Sequence, residues 1–209
     1  LIFAATYLLT EKTVPYQTPV DDASSPAELA KRICETIAEK KDPANADGQN
    51  FTGILVEKQQ ADGSFDNNLS DTLFSVIALQ AASAEYDREK ALTYILSCQK
   101  EDGSFSFSDN AGDEITATAF SLCVLSIFRH ETKTNYDAAA RALTYLEENQ
   151  NEDGGFSSSG VSNCLETSYA LLAATDMEAL SKENWKNALK ALAEFANKDG
   201  SYSLVKGLN

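Results

Sequence analysis

One histidine, His130, occurs in the 209 residues, and it sits among charges at the end of an apolar segment. A site built from several imidazoles is therefore excluded, and a surface or helix-terminal place is expected for this one. The four cysteines, Cys34, Cys98, Cys123 and Cys164, form no C-x-x-C pair, and the closest two are 25 residues apart. A disulfide framework does not suit a chain this rich in apolar residues, so buried free thiols are expected. Positive charge is also scarce: 17 Lys and Arg face 32 Asp and Glu, for a net charge of −15. That balance repels phosphate backbones and anionic lipid, so no nucleic-acid partner is expected. Its plain consequence is a solvated acidic surface. Long apolar runs are missing too. Leu1 to Leu9 is apolar but far too short to span a bilayer, and it lacks a basic leader and a small-residue cleavage site. No membrane span is expected. Leu1 stands where a start Met would be, so residues 1–209 read as a single domain within a longer polypeptide.

What the chain does have is a repeated phrase. It reads Gln59-Gln60-Ala61-Asp62-Gly63-Ser64-Phe65, then Gln99-Lys100-Glu101-Asp102-Gly103-Ser104-Phe105, then Gln150-Asn151-Glu152-Asp153-Gly154-Gly155-Phe156. A worn fourth copy is Ala196-Asn197-Lys198-Asp199-Gly200-Ser201-Tyr202. The glycines are 40, 51 and 46 residues apart, a period that fits one helical hairpin per repeat. Helical periodicity precedes each Gln: Ala91, Leu92, Ile95 and Leu96 before Gln99, and Ala142, Leu143, Tyr145 and Leu146 before Gln150. These segments carry Lys, Glu and Asn, so one face is wet. The segments after each turn differ. Thr72 to Ala82, Ile115 to Phe128 and Leu165 to Ala174 are apolar nearly all round, which suits helices buried on every side.

Polar-faced and apolar helices therefore alternate, and the expected fold is all-α, a double-layered ring with apolar helices inside. Ala4 to Leu9 reads as an outer helix. Ser25-Pro26 caps an inner helix over Ala27 to Lys40, which Asp42-Pro43 stops. Phe51 to Gln60 and Asn184 to Asn197 read as outer helices. The total is five outer and four inner helices, about four and a half hairpins. Either the ring is open after Tyr202 or further sequence completes it. Each turn Gly is expected to take the left-handed conformation, each following aromatic to plug a hairpin corner, and each Gln to bond free backbone groups of the neighbouring unit.

Lys90-Ala91-x-x-Tyr94-Ile95-x-x-x-Gln99-x-x-x-Gly103-x-Phe105 resembles the QW repeat of squalene and oxidosqualene cyclases, with Phe in place of Trp. Arg141-Ala142-x-x-Tyr145-Leu146-x-x-x-Gln150-x-x-x-Gly154-x-Phe156 resembles it equally. The resemblance covers nearly the whole chain. It implies the α/α toroid shared by terpenoid cyclases, protein prenyltransferase β subunits, thioester-containing complement proteins and cobalamin carriers. Fold alone does not choose among these activities.

The motifs of each activity are incomplete here. The resemblance to prenyltransferase β subunits aligns their zinc ligands with Ala117, Ala119 and Glu166, and one carboxylate does not make a zinc site. Class II cyclases protonate an alkene with a D-x-D-D cluster, and only Asp71, in Asn68-Leu69-Ser70-Asp71-Thr72, resembles its end. Asp71 and Glu166 have a simpler reading as acids at helix N-termini. D-D-x-x-D and G-C-G-E-Q are absent, and the Gly-rich turns lack a P-loop Lys. Asp109, Asn110, Asp113 and Glu114 share a loop without EF-hand spacing. No metal or cofactor is expected.

In the expected ring, the inner-helix starts bring Asp71, Thr72, Thr116, Thr118, Glu166, Thr167 and Tyr169 to one mouth. That mouth opens on an apolar hollow, which either takes a ligand or is filled by its own side chains. The expected function is a non-catalytic module that binds an apolar small molecule or a protein, carried by a larger bacterial extracellular or cell-surface protein. Ala4-Ala5-x-Tyr7-Leu8-Leu9 and Lys41-Asp42-Pro43 resemble bacterial surface proteins of prenyltransferase-like type. The alternative is a terpenoid cyclase or prenyltransferase whose remaining catalytic residues lie outside this segment; a cytoplasmic location is likewise the alternative to the surface one. An open ring edge would also permit self-association.

Overall fold

The computed structural model describes residues 19–108 and 112–206. The chain divides into two compact units, Leu1–Ser97 and Cys98–Asn209. Among the described residues the secondary structure is all-α, with eight α-helices, one 3-10 helix and only isolated bridges of extended backbone. No helix among them is long and apolar enough to cross a membrane. The outer helix expected at Ala4 to Leu9 lies outside the described residues.

In the first unit, α1 (Pro26–Ala38) packs against α3 (Leu69–Ala81), with α2 (Phe51–Glu57) and α4 (Arg88–Ser97) against them. Ser25 and Glu28 form a reciprocal capping box at the start of α1, with Pro26 in the first turn. This helix is less apolar than its place suggests. Arg32 and Glu35 are both buried on it, Arg32 paired with Asp47 and lying over the Phe51 ring. In the second unit, α5 (Glu114–Phe128) packs against α6 (Lys133–Glu148) and α7 (Cys164–Asp176). Against α7 lie the 3-10 helix Ala179–Ser181 and α8 (Glu183–Ala193).

Buried faces follow the expected alternation. Twelve of the fifteen residues of α5 are buried, whereas α6 and α8 bury one stripe each. The boundaries differ from expectation for local reasons. Helix α3 starts at Leu69 rather than Thr72, because the Asn68 side chain accepts the Asp71 N–H and caps the helix there. Asn163 does the same for α7 through the Glu166 N–H. The helices before each corner end early, α2 at Glu57 and α8 at Ala193, because the residues that follow already belong to the turn.

The repeated phrase builds one device three times. The Gln59 amide donates to the Asp87 carbonyl at 2.8 Å, Gln99 to Ala138 at 2.9 Å and Gln150 to Asn184 at 2.7 Å. Each Gln thereby clasps the following outer helix, just before its start at Asp87, at its second residue at Asn184 and at its sixth at Ala138, and it also donates to its own Gly carbonyl. The turn glycines have φ near +90° at Gly63 and Gly103 and +83° at Gly154. Conformation is half of their role. A Cβ at Gly63 would lie 2.2 Å from the Lys90 carbonyl, at Gly103 2.6 Å from that of Arg141, and at Gly154 2.9 Å from that of Asn187. Only a residue without a side chain lets the next helix backbone come so close.

Phe65, Phe105 and Phe156 are fully buried. Their N–H groups donate to the hydroxyls of Thr72, Thr118 and Thr167 at 3.0, 2.9 and 3.0 Å. The third copy has Gly155 where the others have Ser. A Cβ there would meet Ser162 at 2.6 Å, and the Ser162 hydroxyl instead donates to Asp153, as Ser64 and Ser104 do to Asp62 and Asp102.

Thr118→Val removes the acceptor that the buried Phe105 N–H has among the described residues. It is expected to cost about 1–3 kcal/mol, the range for an orphaned buried donor. Urea denaturation should show this against Thr93→Val, whose exposed hydroxyl bonds only the Glu89 carbonyl within its own helix and which should stay within about 0.5 kcal/mol of wild type.

Candidate functional site

The structure divides the seven expected mouth residues by role as well as by unit. Thr72, Thr118 and Thr167 are fully buried, and their hydroxyls serve the corner N–H groups just described. They brace the corners and present no hydroxyl to an open mouth. The remaining four lie at the helix starts and are half-buried.

In the first unit, Asp71 has both oxygens engaged. One accepts the Ala27 N–H at 2.8 Å, and the other accepts the Asn68 amide at 2.7 Å. Ala27 is the second residue of α1, one of the amides that a helix start leaves without an internal partner. The carboxylate of one inner helix thus satisfies the start of the inner helix before it.

The second unit repeats the arrangement with an inserted hydroxyl. Glu166 accepts from the Ser158 hydroxyl at 2.8 Å and N–H at 3.3 Å, and from Thr116 at 3.4 Å. Its other oxygen accepts from the Asn163 amide at 2.5 Å. Ser158 in turn accepts the N–H of Ile115, the second residue of α5, at 3.3 Å. Aligned on the threonines, the three latch positions read Asp71, Ala117 and Glu166, so α5 has no acid with which to latch backward.

These contacts bear on the zinc-ligand positions. Ala117 and Ala119 are fully buried methyls that offer no donor, and Glu166 is held as described. Among the described residues no group of three or more His, Cys, Asp or Glu converges. Asp109 and Asn110 lie outside the described residues. Their loop partner Asp113 accepts from Ser106 at 2.6 Å, and Glu114 from the Gly112 N–H at 2.9 Å. His130 is exposed just beyond α5. None of the four cysteines is in a disulfide among the described residues. Cys34 and Cys123 are buried as expected, whereas Cys98 and Cys164 are half-exposed.

Tyr169 belongs to an aromatic group that the sequence did not single out. Its ring centroid is 4.6 Å from that of Phe120, which lies 6.4 Å from Phe107. The three come from two helices and a loop, so no spacing in the sequence links them. Burial raises the Tyr169 phenol above its usual range. At the far end of α7, burial also raises the Asp176 carboxyl, against a hydrogen bond from Cys123 and the charge of Arg129. Raised in this way, Asp176 is a weaker acid than usual, the opposite of what alkene protonation needs.

A short strap holds the start of α7. The Cys164 N–H donates to the Leu204 carbonyl at 2.9 Å, and Lys206 bridges Asp153 at 2.9 Å and Glu194 at 2.8 Å.

Residues 20–164 and 113–208 match the prenyltransferase alpha-alpha toroid domain family, and the chain belongs to it. The chain is also similar to drimenyl diphosphate synthase of Streptomyces showdoensis, with 30% identity over 200 residues. That match covers 89% of this chain and 36% of the relative, so the chain spans about a third of the length of the curated protein it matches. The α/α toroid and the kinship with terpenoid synthases implied by the repeats are thus established.

The strap gives a pH dependence. Partial burial opposes the Asp153 charge, but hydrogen bonds from Ser162, Lys206 and the Gly155 N–H outweigh it and hold the carboxyl at about 2. Its folded value lies below its unfolded value of about 3.9, so the added stability is complete above that value and is lost as pH falls toward 2. Melting curves should show Lys206→Met less stable than wild type at pH 6, with the gap closing between pH 4 and 2.

Proposed function

We propose that this segment is the scaffold wall of a terpenoid-cyclase-type enzyme, binding the hydrocarbon part of an isoprenoid diphosphate and leaving proton donation to residues elsewhere in the polypeptide. The observation that carries this is the cluster of Phe107, Phe120 and Tyr169, in a segment whose Asp71 and Glu166 carboxylates are already engaged. Aromatic faces suit a prenyl chain and the positive charge that develops when its alkenes react. Asp71 and Glu166 are committed to latching inner helices, so neither is free to act as the acid. The similarity to drimenyl diphosphate synthase supports an isoprenoid diphosphate as substrate class.

A second reading is a non-catalytic binding module of a larger extracellular or cell-surface protein, with a cytoplasmic location as its alternative. The same engaged carboxylates, together with Ala117 and Ala119 at the ligand positions, favour it.

The test uses the polypeptide that carries this segment, incubated with linear isoprenoid diphosphates and read by mass spectrometry of the products. A cation over an aromatic ring contributes about 1–2 kcal/mol where water is excluded, so Phe120→Leu should lower kcat/KM by about 5- to 30-fold. Asp71→Asn should melt at a lower temperature yet keep kcat/KM within about threefold. A loss of about a thousandfold in Asp71→Asn would identify it as the proton donor and sink the scaffold assignment. No turnover of any such substrate by the wild-type protein would favour the second reading.

A further inference from the structure

Helices α5 and α7 each keep one stripe partly open along an otherwise buried length. On α7, Ala170, Leu171, Ala173 and Ala174 are buried, whereas Tyr169, Leu172 and Asp176 are half-buried. Those three stand at helical spacing and share one face. On α5, beyond Glu114, only Thr116 and Ile127 are partly exposed. Phe120 and Cys123, 8% and 9% exposed, lie between them on the same face. The two rows meet in order. The Thr116 hydroxyl donates to Glu166 at 3.4 Å, the Phe120 ring lies 4.6 Å from that of Tyr169, and the Cys123 thiol donates to Asp176. The seam therefore carries a carboxylate at each end and aromatic rings between them.

The two ends differ in what holds the acid. Glu166 stands at a helix start and has both oxygens engaged there. Asp176 is the last residue of α7, where the backbone offers carbonyls rather than N–H groups. Its side-chain donor among the described residues is a thiol, which donates weakly. Arg129, whose charge reaches it, spends its guanidinium on the Ser126 carbonyl at 2.7 Å and on Glu178 at 3.3 Å. Burial outweighs the thiol and the guanidinium, so this carboxylate holds a proton more tightly than an exposed aspartate. It is a poor proton donor and a good acceptor. Seven residues of helix, about 10 Å, separate it from Tyr169, a distance that a linear isoprenoid lying along the seam covers.

We infer that Asp176 is the proton acceptor that ends the reaction, facing the carbocation of an isoprenoid chain that lies along the seam between α5 and α7. This rests on the isoprenoid reading above. The step balances without an oxidant or reductant. An acid elsewhere in the polypeptide adds one proton to an alkene of the chain. A C–H bond next to the resulting cationic carbon then breaks, its electron pair forms the new C=C bond, and the proton passes to an Asp176 oxygen. The carboxyl afterwards releases that proton to solvent, so the product is an isomer of the substrate. Where no base is in place, water adds to the cation instead and the product is an alcohol.

Two measurements on the polypeptide that carries this segment test the assignment. With linear isoprenoid diphosphates, Asp176→Asn should lower kcat about 100-fold or more, the contribution of a placed base, with KM within about threefold. Its remaining product should shift from alkene toward alcohol. Glu178→Gln removes the other carboxylate facing Arg129, but that side chain is exposed, and rate and products should stay as in wild type. The second readout needs no turnover. In titration calorimetry a linear prenyl tertiary amine, whose ammonium mimics the cation, should bind wild type at least about tenfold more tightly than Asp176→Asn. The matching prenyl alcohol should bind both equally, which shows that the variant keeps its fold. Wild-type rate, products and amine affinity in Asp176→Asn overturn the inference and leave the isoprenoid reading standing. A wild-type product that is solely the alcohol does the same. Wild-type protein that binds neither the amine nor the alcohol overturns both.

Discussion

The close approach of a helix backbone to a turn glycine is the constraint on which each hairpin depends. At Gly63, Gly103 and Gly154 the carbonyl of the next outer helix occupies the space a side chain would need. Once that approach is made, the other contacts fall within reach. The Gln amide can span from its own Gly carbonyl to the backbone of the next outer helix, and the Phe ring is buried in the corner. At the third corner Phe156 stacks on Trp185 of the next outer helix at 5.4 Å. A larger residue at the turn would hold the helix off and weaken the clasp and the plug together. These contacts are therefore cooperative, and single substitutions in one corner should not be additive.

The inner-helix starts solve a second problem. Packing apolar helices side by side brings their N-terminal amides together, and those amides have no partner inside their own helices. Asp71 takes the amide of Ala27 directly, and Glu166 reaches that of Ile115 through Ser158. Each acid is also bound to the Asn that caps its own helix. Both carboxylates thus spend their oxygens on the backbone and side-chain donors of the helix starts. Architecture and acid chemistry compete for the same position, and in this segment the contacts are those of architecture.

Repetition is what made the fold legible. The Asp-Gly-Ser-Phe phrase, with polar-faced segments before it and apolar ones after it, indicates alternating helical hairpins from the chain alone, and within the described residues the expected helices recur within a few residues of their bounds. The N-caps are legible too, since Asn68 and Asn163 each stand three residues before an acid and four before a Thr. The candidate site was less legible because its parts come from different repeats. Nothing in the spacing of Phe107, Phe120 and Tyr169 says that their rings meet, and nothing near Glu166 says that Ser158 will sit between it and Ile115. Thr72, Thr118 and Thr167 stand near the starts of apolar helices, which by itself suits a mouth. Their burial follows from the corner Phe, whose N–H needs an acceptor once water is excluded.

The one place where the latch series breaks is also where the aromatic group lies. Helix α5 has Ala117 at the position held by Asp71 and Glu166, and three residues further on it carries Phe120. A carboxylate at 117 would add a charge on a helix that is buried nearly all round, and burying a charge without a partner is costly. With a methyl there instead, the start of α5 depends on Thr116 and on the Ser158 bridge for its polar contacts. The aromatic group meets this start at its loop end, where the Phe107 N–H donates to the Asp113 carboxylate just before α5, while the Phe120 ring packs on Tyr169 of α7.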